Sequence, residues 1–141
     1  MSTTLHATCV AIKGHGVLLI GASGSGKSDL ALRLIDRGAI LIGDDGVVIE
    51  ARGDRLYASP GPNIEGQIEV RGLGILEIPF AVGTPLTLGV ALDQPVPRMP
   101  DEMLPTRLIE GLSLSIIALD AFQASAPLKV EKALSLYGLE S

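Results

Sequence analysis

Short apolar runs alternate with compact polar breaks along this chain, and most of the runs are of strand length. Thr8–Ile12 and Val17–Ile20 read as two strands joined by the turn Lys13-Gly14-His15-Gly16, and the glycines beside His15 favour a hairpin. Pairing these strands brings His6, just ahead of the first, beside the residues that follow the second. From Ser28 to Arg37 the period changes: Leu30, Ala31, Leu34 and Ile35 recur at helical spacing and form one apolar stripe. Gly38 supplies the residue that ends this helix. Ile40–Gly43, Val47–Glu50, Leu56–Ala58, Leu86–Leu92 and Leu112–Leu119 are further strands, residues 1–5 a loose start, and residues 59–63 a loop. Residues 67–79 carry β-type side chains, but Gly72 and Gly74 interrupt them and charges flank both glycines. Asp93–Pro105 holds four prolines and forms no regular element, while Lys129–Tyr137 is a short amphipathic helix.

The pattern of strand, loop, helix and strand predicts an α/β fold with a mixed β-sheet, and 141 residues suit a single domain, 1–141. Only 3% of residues are aromatic against 47% hydrophobic, so the core is aliphatic. The net charge of −5 argues against binding nucleic acid through a broad basic face. Mean hydropathy is +0.42, yet no run reaches the roughly 18 apolar residues of a membrane helix. We therefore expect a cytoplasmic protein with no membrane contact, part of whose apolar surface is buried between subunits. The one cysteine, Cys9, lies in an apolar run and is expected to be buried and inert.

The chemistry concentrates after Ile20. Gly21-Ala22-Ser23-Gly24-Ser25-Gly26-Lys27-Ser28 matches the phosphate-cradling pattern G-x-x-x-x-G-K-[ST] in full, between a strand and a helix. The glycines let backbone N–H groups converge on phosphate oxygens, Lys27 reaches the β and γ phosphates, and Ser28 ligates Mg²⁺. Asp44 and Asp45 follow an apolar run, as does the acid that orients magnesium in P-loop proteins. Two adjacent carboxylates suggest a division of labour, one beside the metal and one free to accept a hydroxyl proton. Glu69 and Arg71, in the glycine-broken segment, read either as an ordinary solvated pair or, beside glycines that let another backbone approach, as groups facing a metal or substrate. Arg98 in the proline-rich loop is a candidate cation for transition-state charge. His15 reads as a turn residue.

Together these residues resemble the catalytic domain of the HPr kinase/phosphorylase family. The resemblance rests on His6, the run GASGSGKSD, the run RGAILIGDD (Arg37 to Asp45), IEVRGLGILE (Ile68 to Glu77) and Pro97-Arg98-Met99-Pro100. It implies a nucleotide core like that of phosphoenolpyruvate carboxykinase, with ATP phosphates on Gly21–Ser28. Catalysis would fall to Lys27, to Asp45 as the base for a serine hydroxyl, to His6 supporting it, and to Arg98. Mg²⁺ would be bound by Ser28, Glu69 and Asp44. The partner would be an HPr-like phosphocarrier protein of the phosphotransferase system, phosphorylated on serine and dephosphorylated by phosphorolysis. Full-length members are hexamers, which implies a homo-oligomer, and the resemblance is to a form without the family's N-terminal domain. Two departures stand out: Asp29 replaces a common Glu, and Glu110 lies in a late loop, Pro105–Gly111, where the family carries basic residues. An ATP-sensing module without transfer and a small-molecule kinase remain as alternatives.

Overall fold

The computed structural model describes residues 1–138. Its strands are β1 (Ser2–Leu5), β2 (Thr8–Ile12), β3 (His15–Ile20), β4 (Ile40–Gly43), β5 (Val47–Arg52), β6 (Arg55–Pro60), β7 (Gln67–Val70), β8 (Gly74–Glu77), β9 (Thr84–Ala91), β10 (Thr106–Ile109) and β11 (Leu112–Ala118). Helix α1 (Lys27–Asp36) follows β3, and helix α2 (Ala126–Ala133) follows β11 and runs into a wider π turn at Leu134–Gly138.

Nine strands form one mixed sheet in the order β1-β5-β6-β9-β3-β2-β4, with β10 and β11 branching from β9; β7 and β8 make a separate hairpin. The branch explains why the sheet curls. One edge of β9 pairs parallel with β3 along most of its length. Its other edge pairs antiparallel with β6 at Thr84 and Pro85, then parallel with β11 from Gly89 to Ala91. The two arms diverge from a single strand, so apolar side chains pack on both faces of the centre. Val17 and Leu19 face a cluster with Leu30, Leu34 and Val130 of the helices, whereas Leu18 faces Cys9, Ile42 and Ile49 inside the curl. Such strands read as unbroken apolar runs, because neither face meets water.

The structure changes several expectations. Residues 2–5 are not a loose start: β1 pairs with β5 from Ser2↔Glu50 to Leu5↔Val47. The β2–β3 turn is only Lys13-Gly14, both at positive φ, so His15 is the first strand residue, paired with Ile12. The glycine-broken segment is the β7–β8 hairpin, with the glycines in and after its turn. The late loop 105–111 is mostly the β10–β11 hairpin, turning at Glu110-Gly111. The C-terminal helix begins three residues before the expected start, because Pro127 is accommodated in a first helical turn. Helix α1 ends as expected: Gly38 N–H donates to Ile35 O and Ala39 N–H to Leu34 O, closing its last carbonyls. No described helix is long and apolar enough to cross a membrane.

Candidate functional site

Sheet register assembles the site. Thr8 pairs with Leu19 across the β2–β3 hairpin, so His6, two residues earlier, lies level with Gly21. On the other edge of β2, Cys9 pairs with Gly43, which delivers Asp44 to Thr8. Strands β4, β3, β9 and β11 all run in one direction, so their C-terminal ends share an edge, the usual place for a ligand crevice in such sheets. A cleft of about 1190 Å³ opens there.

The loop after β3 turns on two glycines in the left-handed conformation. Gly24 and Gly26 sit at φ +85° and +93°, and Gly26 is the residue that opens α1. A Cβ on Gly26 would lie 3.0 Å from Ala121 Cβ, so both conformation and space demand glycine here. The Lys27 ammonium donates to Gly21 O at 2.6 Å and Ala22 O at 3.4 Å, folded over the loop it belongs to. Ser25 is buried beneath the loop, its N–H donating to Ala22 O. The N-terminus of α1 adds the positive end of its dipole.

Asp44 is the fixed centre of the acidic side. Its Oδ1 accepts from Ser28 Oγ at 2.6 Å and Thr8 Oγ1 at 2.9 Å, and its Oδ2 from Glu69 N–H at 3.0 Å. Asp44 is buried, while Asp45 is exposed and held at φ +57°, a conformation that Asp tolerates better than most residues. The two carboxylates therefore differ in setting. Since β4 and β5 are not paired with each other, residues 44–46 form a corner between parts of the sheet rather than a hairpin turn.

His6, Gly21–Gly24, Gly26, Lys27, Ser28, Asp44, Asp45 and Glu69 all line the cleft, and Ser25 lies behind it. Arg71 lines it too. Arg98 does not: it is exposed in the proline-rich loop, away from the cleft lining. Glu69 is exposed, and its tie to Asp44 runs through its backbone. No cluster of three or more His, Cys, Asp or Glu among the described residues can hold a metal alone. The pair Ser28 and Asp44 nevertheless fits Mg²⁺, which is usually held by one or two carboxylates with water and phosphate oxygens completing its shell.

Two contributors were not singled out from the sequence. Thr8 is a strand residue among apolar neighbours, and only the β2–β4 register shows that its hydroxyl meets Asp44. Asp93, at the end of β9, accepts from Ala22 N–H at 2.9 Å and so ties the start of the phosphate loop to the neighbouring strand. An acid ending a strand beside a phosphate loop was the available cue for Asp93; for Thr8 there was none. Burial pushes the Cys9 thiol far up, leaving it a neutral packing group.

Residues 1–87 match the family model described as the HPr Serine kinase C-terminal domain. The HPr kinase/phosphorylase of Chlorobium phaeobacteroides is 42% identical over 79 residues, which cover 55% of this chain and 23% of that protein. The protein of the same description from Clostridium tetani is 42% identical over 88 residues, 62% of this chain and 29% of its own length. The chain thus matches under a third of the length of these relatives. A solved structure of the HPr(Ser) kinase/phosphatase from Coxiella burnetii superposes with a TM-score of 0.81 at 26% identity. It covers 95% of this chain and 89% of the other, well beyond the residues that the family model matches.

Proposed function

Because this chain belongs to the HPr serine kinase C-terminal domain family, we propose that it is an ATP-dependent kinase that phosphorylates a serine of an HPr-like phosphocarrier protein. The observation that carries the reading is the Ser28–Asp44 contact at 2.6 Å, with the exposed Asp45 next in the chain. It joins the phosphate loop to a buried carboxylate that suits a metal, and leaves a second carboxylate free for the acceptor.

In this reading ATP is the phosphoryl donor, and the N–H groups of Gly21–Ser28 hold its phosphate oxygens. Lys27 releases the loop carbonyls to hold the β and γ phosphates. Ser28, Asp44 and the side chain of Glu69 hold Mg²⁺, which neutralises and orients the phosphates when bound. Asp45 accepts the proton of the substrate serine as the serine oxygen bonds to the γ-phosphorus. The bond to the β–γ bridging oxygen breaks, and ADP leaves. His6 lies on the same side of the cleft to support Asp45. Arg98 is assigned to the transferring phosphoryl group by resemblance alone, since Arg71 is the arginine that lines the cleft. Phosphorolysis of the phosphoserine, a homo-oligomeric state and a cytoplasmic, phosphotransferase-system role belong to the same reading, with residues 1–141 acting as one catalytic domain.

The test is transfer of label from ATP to purified HPr, with the phosphoserine identified by mass spectrometry. Asp45→Asn is expected to bind ATP normally and to lose transfer by about 10²–10⁴-fold. Normal transfer by that variant removes Asp45 as the base; ATP binding by the native protein with no transfer to HPr overturns the kinase reading. Adding phosphate to phosphorylated HPr and measuring pyrophosphate tests the reverse reaction.

A further inference from the structure

The cleft has two unlike ends on either side of the phosphate loop. Strand order runs β11-β9-β3-β2-β4, with the loop leaving β3 in the middle. Asp44 and Asp45 leave β4, two strands to one side; residues 120–122 follow β11, two strands to the other. Both ends reach back to the loop: Asp44 accepts from Ser28 Oγ at 2.6 Å, and a Cβ on Gly26 would lie 3.0 Å from Ala121 Cβ. The end with Asp44, Asp45 and Ser28 is where the metal and the acceptor hydroxyl belong, so the nucleoside extends toward β11.

At that end stands Phe122, 73% exposed although the chain has only two Phe and two Tyr. It is the one Phe, Tyr or Trp lining the cleft among the described residues. Its backbone is held from three directions. Its N–H donates to Asp120 Oδ1 at 2.9 Å, and the Arg33 guanidinium donates to the carbonyls on either side, Ala121 O and Gln123 O. Arg33 Nε also lies 3.0 Å from Asp29, in the first turn of α1, so the segment is strapped to the helix that the phosphate loop opens. The ring comes within 3.4 Å of the position a Cβ on Gly26 would occupy. An aromatic ring left in water, yet rigidly presented beside the phosphate loop, is a surface waiting for a flat partner.

We propose that Phe122 is the stacking platform for the purine base of the nucleotide, an inference that rests on the ATP-dependent reading above. The competing occupant, an apolar side chain of the protein substrate, belongs at the other end of the cleft, where Asp45 meets the acceptor serine.

Calorimetric titration of Mg·ATP and of magnesium tripolyphosphate into the native protein, Phe122→Ala, Phe122→Leu and Phe122→Tyr separates the possibilities. Base–aromatic stacking contributes about 1–3 kcal/mol per base, or roughly 5- to 150-fold in affinity. Phe122→Ala and Phe122→Leu are expected to weaken ATP by at least about fivefold and to leave tripolyphosphate unchanged. Phe122→Tyr keeps both affinities. Equal loss of both ligands, loss of neither, or full rescue by Leu overturns the platform. Those outcomes leave the kinase reading standing if native protein binds ATP; absence of both ligands from the native protein removes the two together.

Discussion

Removing the Thr8 hydroxyl tests whether Asp44 is anchored as the geometry describes. Thr8 is fully buried, and its Oγ1 donates to Asp44 Oδ1 at 2.9 Å. In Thr8→Val a methyl replaces that hydroxyl at nearly constant shape. A hydrogen bond to a charged acceptor contributes about 1.5–3 kcal/mol. The added apolar burial offsets about 0.8 kcal/mol. Asp44 keeps Ser28 Oγ and Glu69 N–H, so it is weakened rather than orphaned. The net loss is about 1–2 kcal/mol, a fall in Tm of about 3–7 °C for a chain of this length. Denaturant melts of Thr8→Val, Asp44→Asn and the double variant measure the coupling directly. A coupling of at least about 1 kcal/mol is expected, because the two groups share one bond. Effects that add to within about 0.5 kcal/mol refute the anchoring, whatever the single variants do.

Other consequences are as direct. Gly26→Ala meets both a positive φ and Ala121 Cβ at 3.0 Å, so it should cost about 1–2 kcal/mol in thermal melts and abolish nucleotide binding. Asp93→Ala frees Ala22 N–H at the start of the phosphate loop. Calorimetry should show nucleotide affinity falling about three- to tenfold with Tm nearly unchanged; unaltered affinity would make that contact incidental. Cys9 is fully buried with its thiol pushed up, so alkylating reagents at neutral pH should modify it only under unfolding conditions. Labelling of the folded protein would contradict the two-faced burial of β2.

What the sequence determined by itself was the local chemistry. Gly21–Ser28 announces a phosphate loop because every requirement of that structure, from positive φ to a lysine one residue before the hydroxyl, falls within eight consecutive positions. The stripe Leu30, Ala31 and Leu34 reads as one buried helix face, and those residues are buried. Helix contacts recur at three and four residues, so a helix and a short loop are written locally. The central strands were also legible as runs buried on both faces. The tertiary structure alone decided how distant segments meet. β1 was missed because Ser2–Leu5 is short, polar in part and sustained by β5, more than forty residues away. Thr8 acquires its partner only through pairing on both edges of β2, and Asp93 only through parallel pairing of β9 with β3. Adjacent in sequence, Asp44 and Asp45 look alike; burial against Thr8 and Ser28 makes one a fixed acceptor, and a left-handed turn leaves the other in solvent. Residue types can name the candidate groups, but long-range sheet register is needed to show which carboxylate is buried and bonded and which is exposed.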